Sequence, residues 1–521
     1  MQSDTLFYHQ ITKVAACEPD RIFLRDESRS LSYGDVLTAI DALAAEFYSA
    51  GLMRDQRCIL FMENSLDYIL VWLALSRLGV ISVPLNQALR GPLLEHQVRD
   101  VDASAIVADA EHWKKISETD SLVNSFKRVF QLGPSVDQHF PQSATLLQGR
   151  GHTLPMSLPL PQASEVMSIF YTSGTTGPSK GVLYTHLQAW QTGQTVAQYL
   201  TSSDVFYMTN PMSHVSLPHC LGAALFSGGT LAIRARFSAR FFWEDVRRYG
   251  ATVTMMLGAV ASFVAALPAS ADDRNHSLRK VLMVPVLNDV RAFCERFDVA
   301  VMSWFNMTEV SVPIHTDGFR TDPGLDCGVA RQGALVRVVD ANDIEQPNGI
   351  PGELVVRDEH AWMISPGYLN NSTATLQSWR NLWFHTGDLV VRDEQGVFRF
   401  IDRMKDCIRR RGENISSYEV EAQVLLHPAI QEAAVVGVAT SDGEQEVKVV
   451  AVLKPDATLS PVQLLDFLQP LLPYFCVPRY VVLSDTELPK TSTGKIRKNV
   501  LREAEAPLGW DREHHGYKVS R

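Results

Sequence analysis

Two rhythms of apolar and polar positions alternate along the first hundred residues. A period of 3.6 runs through Asp35–Ala50 and Asp67–Leu78, and short apolar runs occupy Cys58–Met62, Val80–Val83 and Ala105–Ala108. Helices alternating with buried strands predict crossover helices on a mostly parallel sheet. The most apolar stretch, Tyr68–Leu85, is interrupted by Ser76, Arg77 and Gly79. It reads as a buried helix stopped by Gly79 and followed by a strand, and a membrane span is not expected. Gly133–Ala163, rich in Pro, Gln and Ser, reads as a surface connector. The alternation returns at Val166–Tyr171 and runs to about Val312.

Around Gly333–Arg357 the pattern changes to short strands broken by Asn348-Gly349 and Pro351-Gly352, which predicts an antiparallel or barrel-like section. Ile401–Asp406 marks the next boundary. Beyond it the chain is small and mixed: a helix at Ser417–Leu426, strands at Ala433–Val438 and Val447–Leu453, and a helix near Val462–Leu472. Arg502–Arg521 is polar and carries no usable pattern. The expected organisation is a large N-terminal part at 1–401, a hinge at 402–406 and a C-terminal lid at 407–521.

Length and charge narrow the function. At 521 residues the chain is too long for one small core, and its 46% hydrophobic and 20% charged residues are ordinary for a globular protein. The formal net charge of -10 leaves no global positive field for a nucleic-acid partner. The first twelve residues carry Asp4 and His9 and lack an apolar core, so no secretory leader is expected. The seven cysteines show no C-x-x-C pair and read as reduced thiols of a cytoplasmic protein.

The densest chemical signal is Tyr171-Thr-Ser-Gly-Thr-Thr-Gly-Pro-Ser-Lys-Gly181, after an expected strand and before the helical pattern from His186. Glycines and small hydroxylated residues let backbone N–H groups and hydroxyls close around phosphate oxygens. It is not a Walker loop, because the second glycine position of that motif falls on Ser179.

This loop resembles the phosphate loop of the adenylate-forming superfamily, which includes acyl-CoA synthetases, luciferases and peptide-synthetase adenylation domains. Further blocks match in order: Pro211-Met-Ser-His214, Phe305-Asn-Met-Thr-Glu309, His385-Thr-Gly-Asp388, Asp402-Arg-Met-Lys-Asp406 with Arg411-Gly-Glu-Asn414, and Pro489-Lys-Thr-Ser-Thr-Gly-Lys495. The resemblance covers nearly the whole chain. It implies an α/β fold, with two doubly wound α/β subdomains and a β-barrel-like subdomain in the N-terminal domain, and a small mobile α+β C-terminal domain.

It also implies the site. Thr172, Ser173, Gly174, Thr175, Thr176, Gly177 and Lys180 would hold nucleotide phosphates, with Thr176 also near the metal. Glu309 would coordinate Mg²⁺, for which a hard oxygen ligand is suited. Thr308 would donate to the α-phosphate; taken alone, this Thr-Glu pair reads as an ordinary helix start. Asp388 would grip both ribose hydroxyls, one two-oxygen acceptor matching two vicinal donors, with Arg403 beside it and Lys405 at the hinge. Lys495 would reach the bridging and carboxylate oxygens as the acid attacks the α-phosphate, a reaction governed by placement and electrostatics. His214 and Phe305 would gate the acid pocket, with Asn306, Met307, Trp304, Gly258 and Ala259 as neighbours. Gly412 would let the pantetheine arm pass, and Arg409–Arg411 is either a solvated charge run or a site for coenzyme A phosphates.

The resemblance is nearest to carnitine/crotonobetaine-type CoA ligases, through Leu278–Met283, Ala292–Phe297, Gly412–Ser416 and Val477–Tyr480. It implies an ATP-dependent acid–thiol ligase that uses ATP, Mg²⁺ and coenzyme A. A carrier-protein thiol is the alternative acceptor, and a catalytically silent nucleotide-binding regulator the alternative class. Asn210-Pro-Met-Ser-His214 lacks the Phe-Asp-x-Ser block of amino-acid-loading relatives, which favours free coenzyme A. The resemblance leaves a homodimer open. Asn306 replaces the usual glycine, and Met283–Leu287 departs from the common Gly-Gly-Ala-Pro segment, so the acid itself does not carry over.

Overall fold

A computed structural model describes residues 5–519 apart from 134–136, 138, 150–152, 156, 173–178, 288, 411–412, 440–444, 492–493 and 504–507. The chain divides into two compact units. The first comprises Met1–Thr172, Ser179–Leu335 and Val356–Phe384, and the second comprises Val336–Val355 and His385–Arg521.

The first unit is built on two seven-stranded sheets. One runs in the order Thr145–Leu146, Arg128–Gln131, Ala105–Ala108, Arg57–Phe61, Ile81–Pro84, Val166–Thr172, Lys180–Thr185. Its strands are parallel until the last pair, which is antiparallel. The other runs Ala300–Met302, Lys280–Val284, Val253–Leu257, Val205–Met208, Thr230–Ile233, Ile22–Arg25, Ser30–Ser32, again parallel except at the end.

A shared core lies between the sheets. Leu60, Val107 and Phe170 from one meet Met208, Leu231 and Met255 from the other, through helices Tyr33–Ser49, Leu66–Leu78, His186–Ala197 and Ser216–Ser227. The outer faces carry their own clusters, around Val246, Phe293 and Phe297 on one sheet and Leu94, Val98 and Trp113 on the other. Both sheets are therefore covered on both faces, which is why their strands read as continuous apolar runs.

Leu66–Leu78 shows how local sequence and packing agree. Ser65 caps it by accepting from the Tyr68 N–H, and Gly79 ends it in the left-handed region at φ 72. Almost every side chain along it is buried, because it lies within the shared core.

A further five-stranded sheet contains Ala334–Val339, Gly352–Asp358, Trp379–Arg380, Trp383–Arg392 and Phe398–Arg403. The second unit ends in a four-stranded sheet ordered Ile430–Ala439, Gln445–Leu453, Tyr480–Ser484, Trp510–Asp511. Helices Ser417–Leu425 and Pro461–Leu468 pack on it through Val420, Val424, Leu464, Leu465 and Leu468. The polar tail is not patternless in three dimensions: Trp510 pairs with Val481 at the sheet edge. Among the described residues no helix is long and apolar enough to cross a membrane.

Candidate active site

Thr308 and Glu309 do not start a helix. Strands Trp304–Met307 and Ser311–His315 pair antiparallel, and Thr308–Val310 form the turn between them. Ser311 leaves the turn at φ 59, a conformation disfavoured for a side chain with a Cβ, so the surroundings hold it. Gln188, itself fully buried, supplies that hold: its Nε2 donates to the carbonyls of Thr308 and Glu309 at 3.3 Å and to Ser311 Oγ at 3.1 Å.

The Glu309 side chain is buried, and the Tyr368 hydroxyl donates to its Oε1 at 2.9 Å. The Ser365 N–H binds the Glu309 carbonyl at 2.7 Å. Lys180 Nζ sits over the ring of the same Tyr368, 5.0 Å from its centroid. One tyrosine thus fixes a carboxylate through its hydroxyl and an ammonium through its face. Among the described residues Glu309 has no cationic side chain in ion-pair contact. A buried carboxylate in that condition calls for a cation, and hard oxygen chemistry fits magnesium.

Lys180 opens a strand opposite Thr172, and these two residues bracket the loop. Ser173, Gly174, Thr175, Thr176 and Gly177 lie outside the described residues, as does Gly412. His214 stands just before helix Ser216–Ser227, where its Nδ1 accepts from the Ser216 N–H at 3.3 Å. Phe305 is buried opposite Ile314, and Asn306 and Met307 are half-buried on the same strand. Gly258 backs onto Pro285, whose carbonyl a Cβ would approach to 3.2 Å. This brings the start of helix Gly258–Ala265 beside the unusual Met283–Leu287 segment.

In the second unit Asp388 and Arg403 face each other across an antiparallel pair, with Arg403 Nε 2.7 Å from Asp388 Oδ1. The Asp388 side chain is almost completely buried, and the guanidinium is partly exposed. Gly387 takes φ 69 within the strand Trp383–Arg392, and Glu353 anchors this part of the strand by accepting from the Gly387 N–H and pairing with His385 Nδ1 at 2.9 Å. Lys405 lies two residues beyond Arg403 with an exposed side chain. Partial desolvation still pushes its ammonium down to about 8, with Arg403 and Arg502 adding to the effect and Asp406 and Asp388 opposing it.

Lys495 is exposed on a short anchored loop. Lys490 and Ile496 form a bridge across it, the Thr491 N–H binds the Lys495 carbonyl at 2.8 Å, and the Lys495 N–H binds Thr491 Oγ1 at 3.1 Å. Both flanks are pinned: Lys490 to Glu432, and Lys498 to Glu421 at 2.7 Å and Ser417 Oγ at 2.6 Å. Asp402 completes that anchor by accepting from Ser417 N and Oγ.

Sequence reasoning missed Tyr368, Gln188 and Glu353. Each acts across a long loop of chain; Tyr368 is 59 residues from Glu309. No periodicity or local motif marks such pairings.

Two covered α/β sheets, a smaller mixed unit and this order of chemical blocks define an adenylate-forming enzyme. The chain belongs to the AMP-binding enzyme family, whose description it matches over residues 11–369, and residues 419–495 match the AMP-binding enzyme C-terminal domain. It is 31% identical over 496 residues to a crotonobetaine/carnitine–CoA ligase of Salmonella agona, covering 91% of this chain and 93% of that protein. The corresponding Shigella flexneri ligase is 30% identical over 487 residues, 90% and 92% of the two chains. Among solved structures, ATP-bound MatB from Rhodopseudomonas palustris superposes with a TM-score of 0.83 at 25% identity, covering 98% and 100%. The anthranilate CoA ligase AuaEII in complex with anthranoyl-AMP gives 0.85 at 21% identity, covering 95% and 96%, a likeness of fold.

Proposed function

We propose that the chain activates a carboxylic acid with ATP as an acyl-adenylate, releases pyrophosphate, and passes the acyl group to coenzyme A, leaving AMP. The observation that carries the site assignment is the triad in the first unit: the buried Glu309 carboxylate and the Lys180 ammonium held on one Tyr368. Magnesium held by Glu309 would supply positive charge to the phosphate oxygens. Lys180, with Thr172 and the loop through Gly177, cradles those phosphates, and Thr308 donates its hydroxyl to the α-phosphate. Asp388 accepts from the two ribose hydroxyls while Arg403 orients it. Lys495 offers its ammonium where negative charge gathers as the acid oxygen attacks phosphorus and pyrophosphate leaves. His214 and Phe305 border the acid, Asn306 and Met307 line its approach, and Gly412 leaves room for the pantetheine arm. The hinge at 402–406 and the division at 401 belong to the same reading.

Lys495→Ala tests it. Formation of the adenylate, read as acid-dependent pyrophosphate exchange, should fall by on the order of 10²-fold or more. Thioester formation from synthetic acyl-adenylate and coenzyme A should keep most of its rate. Equal loss in both half-reactions would contradict the role given to this lysine. Mass spectrometry of the thioester, over a panel of acids with ATP, Mg²⁺ and coenzyme A, identifies the acid.

A further inference from the structure

His219 and Trp304 are both 2% exposed and touch edge to face, with ring centroids 5.3 Å apart and planes at 82°. Neither nitrogen of His219 nor Nε1 of Trp304 meets a hydrogen-bond partner among the described residues. Buried polar atoms are almost always partnered, so three unmatched nitrogens on two touching rings call for a partner. Their place in the first unit gives them meaning. Trp304 opens the strand that carries Phe305 and Asn306 and ends at the Thr308 turn. His219 is five residues beyond His214, on the helix that His214 precedes.

The chemistry of the three atoms is restrictive. Burial, reinforced by His214, pushes the His219 imidazole down to about 3, so the ring is neutral, with one nitrogen donating and the other accepting. The indole only donates. His214 is the ionisable group acting on His219 among the described residues, so an ammonium brought here would lack a counter-charge, and a carboxylate has no proton to give the accepting imidazole nitrogen. A hydroxyl serves two of the three together, its oxygen accepting from the indole N–H and its proton going to the bare imidazole nitrogen.

We propose that His219 and Trp304 form the end of the acid pocket that reads a neutral hydroxyl group, and that the substrate is a hydroxylated carboxylic acid. The inference rests on the acid-activating function above and adds the substrate class to it. A site built to bond a hydroxyl rejects the analogue without one strongly, because its own polar groups are then left unmatched.

The test compares kcat/KM for acid-dependent pyrophosphate exchange over paired acids: aliphatic acids of graded length with a hydroxyl at successive positions, ring hydroxy acids, and the deoxy parent of each. The wild-type protein should prefer its best hydroxy acid over the parent by about 10⁴-fold. Trp304→Phe keeps a ring and deletes only the indole N–H; it should lower that preference at least tenfold, as should His219→Leu. His219→Gln retains a donor and an acceptor and should restore most of it, which a purely space-filling role would not do. This leucine–glutamine comparison also decides the matter if Trp304→Phe does not fold. A wild-type preference for parent acids, or a preference unmoved by His219→Leu, overturns the inference and leaves acid activation standing. Absence of exchange with every acid in both series overturns acid activation and the inference with it.

Discussion

Tyr368 is the residue whose single deletion should be most informative, because its hydroxyl and its ring do separate things. Tyr368→Phe removes the hydrogen bond to Glu309 Oε1 and keeps the aromatic face beneath Lys180. A hydrogen bond to a charged group is worth about 1.5–3 kcal/mol, so pyrophosphate exchange at limiting Mg²⁺ should fall by roughly 10- to 10²-fold. Saturating Mg²⁺ should recover part of the loss, since the carboxylate remains and only its orientation is released. Tyr368→Leu, which also removes the ring, should in addition raise the KM for ATP. A magnesium titration of the phenylalanine variant that overlays the wild type would remove Tyr368 from the site. Nothing near Tyr368 in the chain announces this role; it follows from a contact between residues that are distant in sequence.

Helix pairing is decided at two glycines. Gly193 on His186–Ala197 and Gly222 on Ser216–Ser227 let the two backbones meet: a Cβ on Gly193 would lie 2.7 Å from the Gly222 Cα, and one on Gly222 would lie 2.8 Å from the Gly193 Cα. Neither partner is a flexible side-chain end, so the helices themselves would have to part. Gly193→Ala and Gly222→Ala should each destabilise the protein by about 1–3 kcal/mol, despite alanine's better helix propensity. Thermal unfolding of each variant checks this, and a raised Tm for either would mean that the helices part at little cost. The helix that begins at Ser216 also carries His219, and His214 lies just before it. A change in helix spacing should therefore also reach acid selectivity.

Across the whole molecule, two buried histidines couple stability to acid. Burial pushes His186 down to about 4 and His219 to about 3, against an ordinary value near 6.5. Between those values the unfolded chain binds protons that the folded chain does not. Their contribution is complete above pH 6.5 and is lost as pH falls toward the folded values. At pH 4.5 the loss should be about 2–3 kcal/mol for each. Lys405 acts at the other end: its lowered value means that stability rises as pH climbs from about 8 toward the ordinary lysine range. The urea midpoint at pH 7.5 and at 4.5 measures the histidine effect. His219→Gln, which removes one of these titrations, should shrink the difference, and an undiminished difference would place the acid sensitivity elsewhere.

Much of this architecture could be read from the chain alone. The helix stopped at Gly79, the strand at Ala105–Ala108 and the alternation that predicts crossover helices are local facts, fixed by side-chain period and backbone freedom, and they survive folding unchanged. The family and its use of ATP, magnesium and coenzyme A were likewise legible, because ordered motifs are written in sequence. Tertiary structure decided what depends on distant partners. Thr308 and Glu309 look like a helix start because a helix start needs only a few neighbouring residues; they form a hairpin turn because Gln188, far upstream, binds the carbonyls of that turn. Lys180–Thr185 joins the sheet as its antiparallel edge through pairing with Val166–Thr172. Trp510 becomes part of a strand because Val481 offers it an edge. Tyr368, His219 and Trp304 gained their meaning in the same way: an unmatched nitrogen or a shared ring is a property of a neighbourhood, and the neighbourhood exists only once the chain has folded.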